Sequence, residues 1–145
     1  MKTFITIVIL ATLVLIKPLY MLQHQKYNLK IRVEGIKLIS GNMDIAIYNK
    51  SENFPKKGLE YITKSIPVSG HYLFSEFNLP EGTYAVAIYH DANSNGKCDK
   101  NLFGIPIEGF GFSNNYKPKF ASPSFNSCKF LLDNDKNITV KLIFF

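Results

Sequence analysis

The densest chemistry in the sequence lies in Asp91-Ala92-Asn93-Ser94-Asn95-Gly96-Lys97-Cys98-Asp99. Side-chain oxygens fall at relative positions 1, 3, 5 and 9 of this stretch, with glycine at 6, as in the first part of a calcium loop. A sharp turn at Gly96 would swing alternate side chains onto one hard cation, and the Lys97 carbonyl would add another oxygen. Position 12 is Leu102, so the bidentate glutamate of an EF-hand is missing. Asn101, or Glu108 folded back over the loop, would have to complete the shell. With only Asp91 and Asp99 charged, calcium affinity is expected to be weak. The competing reading is a bare Asx-rich turn, in which the same side chains bond their own backbone amides.

The neighbouring polar residues are His90, Glu108, Ser113, Asn114 and Tyr116. A hydrolase would need His90 with Asp91 or Glu108 converging on a pocket. Adjacent strand residues point to opposite faces, so His90-Asp91 is not a dyad by itself. Ser113 lacks a Gly-x-Ser-x-Gly elbow, and a non-enzymatic role is the expectation. Phe110, Phe112 and Tyr116 offer a different chemistry, stacking on sugar rings as a carbohydrate-binding module would, unless they are buried and hold the surrounding segment down. Two isolated cysteines and three scattered histidines give no zinc spacing. Cys98 and Cys128 would, in an oxidising compartment, form a disulfide worth about 3 to 4 kcal/mol in the chain-entropy model. The alternative is a pair of buried free thiols.

These residues need a scaffold, and the scaffold has period two. Leu29, Ile31 and Val33 alternate with Lys30, Arg32 and Glu34. Met43, Ile45 and Ile47 repeat the pattern after the Ser40-Gly41-Asn42 turn. A weaker strand is expected at 61–68, with Pro67 marking an edge or strand end, and another at 71–79, with apolar and aromatic residues on both faces. The run from Thr83 to Tyr89 is apolar almost throughout, as for a central strand buried on both sides. Further strands are expected over 125–132 and 137–145. About seven short strands with Gly, Pro and Asn turns predict an all-β chain, an antiparallel sandwich of transthyretin-like or immunoglobulin-like type. Residues 90–124 are too long for a hairpin, and their aromatic residues (Phe103, Phe110, Phe112, Tyr116 and Phe120) predict an ordered cap over one end of the sandwich.

Two resemblances follow from particular residues. The corner Leu79-Pro80-Glu81-Gly82-Thr83-Tyr84 resembles that of transthyretin-like and collagen-adhesin B-type sandwich modules. His90-Asp91-x-Asn93-x-Asn95-Gly96-Lys97-x-Asp99, Gly104-Ile105-Pro106-x-Glu108-Gly109-Phe110-Gly111-Phe112-Ser113-Asn114-Asn115 and Pro123-Ser124-Phe125 together resemble the bacterial family called domain of unknown function 2141. The resemblance runs from about Leu29 to the C-terminus. It implies a secreted or periplasmic β-domain with no established activity. Cys98 and Cys128 depart from the pattern, so a bridge between them would be particular to this chain.

Composition sets the frame for the rest. With 145 residues, 46% apolar and 19% charged, the chain is one folded domain and not a disordered one. Lys2 and the apolar run Phe4 to Ile16 read as a secretory signal, while the longer stretch to Leu22 leaves an uncleaved membrane anchor open; a hydrophobic helix is expected there. Residues 1–24 are therefore set apart from a domain over 25–145, which is expected outside the cytoplasm. No cysteine follows the apolar run, so a lipoprotein signal is excluded. The basic excess of +6 includes Lys2 and Lys17, and Arg32 is the only arginine, so nucleic acid is not an expected partner. A cell-envelope glycan or protein is, with membrane contact through the N-terminal segment alone.

Overall fold

A computed structural model describes residues 25–104, 106–119 and 121–145. The expected N-terminal helix falls on residues 1–24, outside the described residues. The chain is all-β, as expected, and eight strands are described where about seven were anticipated. They are β1 Lys26–Glu34, β2 Asn42–Tyr48, β3 Ile62–Pro67, β4 Tyr72–Pro80, β5 Gly82–Asp91, β6 Phe110–Phe112, β7 Phe130–Leu132 and β8 Lys136–Lys141. One sheet has the order β4-β1-β8. The other runs β3-β2-β5-β6, with β7 pairing the first residues of β5.

Period two does in the fold what it promised in the sequence. Leu29, Ile31 and Val33 from β1 face Met43, Ile45 and Ile47 from β2, all fully buried between the sheets. β5 adds Tyr84, Val86 and Ile88 to that core. Its other face, Ala85 and Ala87, packs into a second cluster with Tyr48, Phe54, Phe110, Phe112 and Cys128. A strand apolar on both faces has to be covered twice, and β5 is. β3, nearly all exposed, lies at a sheet edge with Pro67 at its end.

Four expectations need correction. The sheets are not purely antiparallel, because β8 runs parallel to β1, with Leu29 opposite Lys136 and Val33 opposite Val140. The segment 125–132 is not one strand. Ser124 accepts a hydrogen bond from the Ser127 amide, and this cap starts a single helical turn, α1 Phe125–Cys128, ahead of β7. The cap is not one loop over the sandwich end. β6 splits it into an excursion at the end of β5 and a cover across the outer face of the second sheet. Phe103, expected to be buried, is 87% exposed.

The Leu79-to-Tyr84 corner has a local cause. The Tyr84 hydroxyl donates to the Pro80 carbonyl at 2.9 Å, closing the β4–β5 turn. A Cβ on Gly82 would stand 3.2 Å from the Tyr84 ring, which explains the glycine two residues before the tyrosine.

Candidate functional site

β5 delivers Tyr89, His90 and Asp91 to the end of the second sheet, opposite the end at which Lys26 enters β1. Asp91 is almost buried, and its two carboxylate oxygens accept from the amides of Asn95 (3.0 Å) and Gly96 (2.8 Å). Asn93 Oδ1 also accepts from the Asn95 amide, and Asn95 Oδ1 accepts from the Lys97 amide. Ser94 and Gly96 take positive φ, 58° and 73°, which winds the chain tightly enough for these bonds. The Asp99 carboxylate receives the side-chain amides of Asn93 (2.7 Å) and Asn95 (3.0 and 3.1 Å). Asp91, Asn93, Asn95 and Asp99 are thus wound around one turn.

Glu108 folds back over the base of this turn. Its carboxylate accepts from the Ala92 amide (3.0 Å), the Asp99 amide (3.1 Å) and the Tyr89 hydroxyl (2.9 Å). One side chain therefore ties both ends of the loop to β5. The Tyr89 phenol is driven far above its ordinary pKa, mainly by burial and further by the hydrogen bond to Glu108. Asn101 does not turn the same way: its Oδ1 accepts from the Phe103 amide in the next turn. Among the described residues no three His, Cys, Asp or Glu gather as metal ligands, so any cation here would draw on asparagine and backbone oxygens as well. That oxygen set suits a hard ion and not a soft one.

The remaining candidates are placed elsewhere or are already engaged. His90 is buried, and its Nε2 donates to the Ser40 carbonyl at 2.9 Å. Ser113 is fully buried; its Oγ accepts from the Val86 amide and donates to the Cys128 carbonyl. Asn114, at φ 60°, donates from its side-chain amide to the carbonyls of Ser127 and Lys129. Phe110 and Phe112 are buried in the second cluster, and Tyr116 packs half-buried against it. The aromatic trio therefore holds the cover on the second sheet, far from a flat open platform. Cys98 is exposed on the loop and Cys128 lies buried in the second cluster, both as free thiols.

The motif blocks thus fall on two structures: a polar loop at the end of β5, and a cover nailed down by Phe110, Phe112, Ser113 and Asn114. A family described as an uncharacterized protein conserved in bacteria, DUF2141, matches residues 31–141. The chain belongs to that family. No curated protein and no solved structure matches it. The DUF2141 match runs from within β1 to the end of β8 and takes in most of both clusters and the whole 91–108 loop.

Sequence reasoning missed Tyr89, Ser40 and Leu38 as parts of the site. Tyr89 sits in an apolar run and gave no polar signal until Glu108 was seen to reach it. Leu38, Ile107 and Phe144 join His90, Asp99 and Glu108 around an open cleft of about 340 Å3 beside the loop. They come from three distant stretches of chain, a juxtaposition that only the fold creates.

Proposed function

We propose that this DUF2141 chain is an exported, non-enzymatic binding module whose 91–108 loop takes a calcium ion weakly. The observation that carries the reading is the gathering of Asp91, Asn93, Asn95 and Asp99 around one turn with Glu108 closing its base. Glu108 holds the base of the loop through the Ala92 and Asp99 amides, so a cation would rest on the Asp91 and Asp99 carboxylates with asparagine and backbone oxygens. The Lys97 carbonyl belongs to the same turn. Export is supported by the apolar run ahead of residue 24, and a transthyretin-like kinship by the Tyr84–Pro80 corner. The non-enzymatic part is supported by the state of the acid–base groups. His90, Glu108 and Ser113 each hold backbone groups in place. Phe110 and Phe112, being buried, offer no support to sugar stacking.

The test is a thermal melt in chelator, then in calcium, then in magnesium. A site with a dissociation constant of about 10⁻⁴ to 10⁻³ M, typical of extracellular modules, would at about 10 mM calcium stabilise by roughly 1.4 to 2.7 kcal/mol. That corresponds to a rise of about 5 °C or more. Magnesium, which demands a tighter octahedral shell, should do much less. An unchanged melting temperature in calcium removes the metal from the proposal.

A further inference from the structure

The cleft beside the polar loop plays no part in the calcium reading, and its polar atoms define what would fit it. His90 is one of its lining residues, on the same side of β5 as the core residues Val86 and Ile88. The side chain is only 2% exposed. A carbonyl can only accept, so the bond to Ser40 puts a proton on Nε2, and in the neutral ring Nδ1 is then an acceptor. Nδ1 has no hydrogen-bond partner among the described residues. It is not sealed in the protein either, because among them Ser75 Oγ is the one sealed side-chain atom without a partner. Nδ1 therefore opens on the cleft that His90 lines.

Two carboxylates in the same lining have acceptor positions to spare. A carboxylate offers about four lone-pair sites. Glu108 accepts one bond at Oε1 and two at Oε2. Asp99 accepts one at Oδ1 and two at Oδ2. Their partners are neutral N–H and O–H groups, and no lysine or arginine lines the cleft among the described residues. Leu38, Ile107 and Phe144 supply an apolar wall. The Lys37 ammonium stands 4.1 Å from the centre of the Phe144 ring, so this wall already accepts an organic cation.

We infer that the cleft binds a primary ammonium carried on a short apolar body, with the ammonium on His90, Asp99 and Glu108 and the body on Leu38 and Ile107. The match is one of number and sign. An ammonium has three N–H donors and no acceptor, and three acceptor positions are open. Its charge meets two carboxylates, which an anion would be repelled by. An alcohol would satisfy one acceptor and take water from the others. A volume of about 340 Å3 is at the small end for ligand sites, which keeps the body to a few carbons. The inference goes beyond the calcium reading and does not rest on it.

The probe is isopentylamine, titrated into the full chain at fixed ionic strength and followed by nitrogen-15 NMR. All arms are run in chelator, which lets the calcium reading stand or fail separately. The amine should bind saturably, with a dissociation constant on the order of 1 mM for so small a ligand. It should move the His90 Nδ1 resonance and the amides of Asp99 and Glu108. Isopentanol and isovalerate, with the same body, should bind about tenfold more weakly or worse. H90Q keeps an amide donor for the Ser40 carbonyl and should weaken the amine about tenfold. Ile107 is exposed, so I107R should fold; it sets a cation at the cleft and should abolish binding even where H90Q does not fold. Leucylglycinamide carries the same ammonium on a peptide: if it binds more tightly than isopentylamine the source is a chain end, and if less tightly a free amine. Equal binding of amine, alcohol and acid overturns the inference. So does amine binding that survives in I107R, or shifts confined to residues outside the cleft.

Discussion

Gly41 lies against Asp91 so closely that a Cβ on the glycine would stand 1.9 Å from the Asp91 carbonyl oxygen. Gly41 also takes φ +65°, in the left-handed region that side chains disfavour. The contact brings the turn before β2 onto the last residue of β5, where the polar loop begins. G41A should therefore cost about 2 to 5 kcal/mol, from overpacking against backbone and from strain. A denaturant midpoint close to that of the unaltered protein would contradict the close approach.

Ser113 supports the cover over the second sheet from inside. Its Oγ accepts from the Val86 amide at 2.9 Å and donates to the Cys128 carbonyl at 2.6 Å, with no exposure to solvent. S113A leaves both backbone groups without that partner and should cost about 1 to 3 kcal/mol per orphaned group. Loss of cooperativity in a near-ultraviolet melt, from loosening of Phe112 and Tyr116, should accompany it. S113C keeps the bulk but hydrogen-bonds weakly, and should not restore the loss.

Ser113 also shows where the sequence could be read and where it could not. Strand periodicity located the core residues of β1, β2 and β5, because each side chain's face follows from its parity. The doubly apolar β5 announced that something must cover its second face. What covers it was hidden, since β6 is only three residues long and pairs through Gly111, where a Cβ would come 2.8 Å from Val140. The serine's role depends on Val86 and Cys128, which lie 27 and 15 residues away. No local pattern encodes that. The polar loop was more legible, because Asx spacing is a local signal. Glu108 as the residue folded back could be named from composition, but its grip on Tyr89 could not. The turn at Phe125–Cys128 is helical and not the expected strand because Ser124 caps the Ser127 amide, and the apolar Phe125 and Cys128 stand three residues apart, a helical and not a strand spacing.

Ser75 offers a change in the opposite direction. It is 5% exposed on the inner face of β4, and its hydroxyl has no hydrogen-bond partner among the described residues. A buried hydroxyl without a partner costs about 1 to 3 kcal/mol. S75A removes the hydroxyl and leaves a small void, so the net should be neutral or stabilising by about 1 kcal/mol. Destabilisation beyond about 1 kcal/mol in urea unfolding would mean that the hydroxyl is satisfied in solution.

Alkaline pH should destabilise the protein. Burial raises the Tyr48 and Tyr89 phenols far above the ordinary range, with Glu60 and Glu108 adding to it, and raises Tyr84 too. The Cys128 thiol is pushed up to about 11 by burial. In each case the folded protein holds its proton more tightly than the unfolded chain. The associated stability is complete below the ordinary thiol and phenol values, about 8.5 and 10, and is lost as pH rises above them. Unfolding midpoints should be flat from about pH 7 to 8 and fall from about pH 9 upward. E108Q removes the carboxylate contribution at Tyr89, so its phenol, followed by absorbance, should titrate at lower pH than in the unaltered protein.

The two cysteines differ enough to be told apart in one experiment. Cys98 is exposed on the polar loop, while Cys128 is fully buried between β5 and the cover. Partial desolvation holds the Cys98 thiol above its ordinary range, against the pull of Lys100, so its reaction at neutral pH should be slow but complete. A thiol reagent at about pH 8 should label one cysteine per native chain and two in denaturant. Cys128 should react only as fast as the cover opens, so its labelling rate reports the local stability of that cover. S113A should accelerate labelling of Cys128 and leave Cys98 unchanged. If no thiol reacts until a reductant is added, the protein joins Cys98 to Cys128. The loop carrying Cys98 would then have to leave the position in which Glu108 holds Asp99.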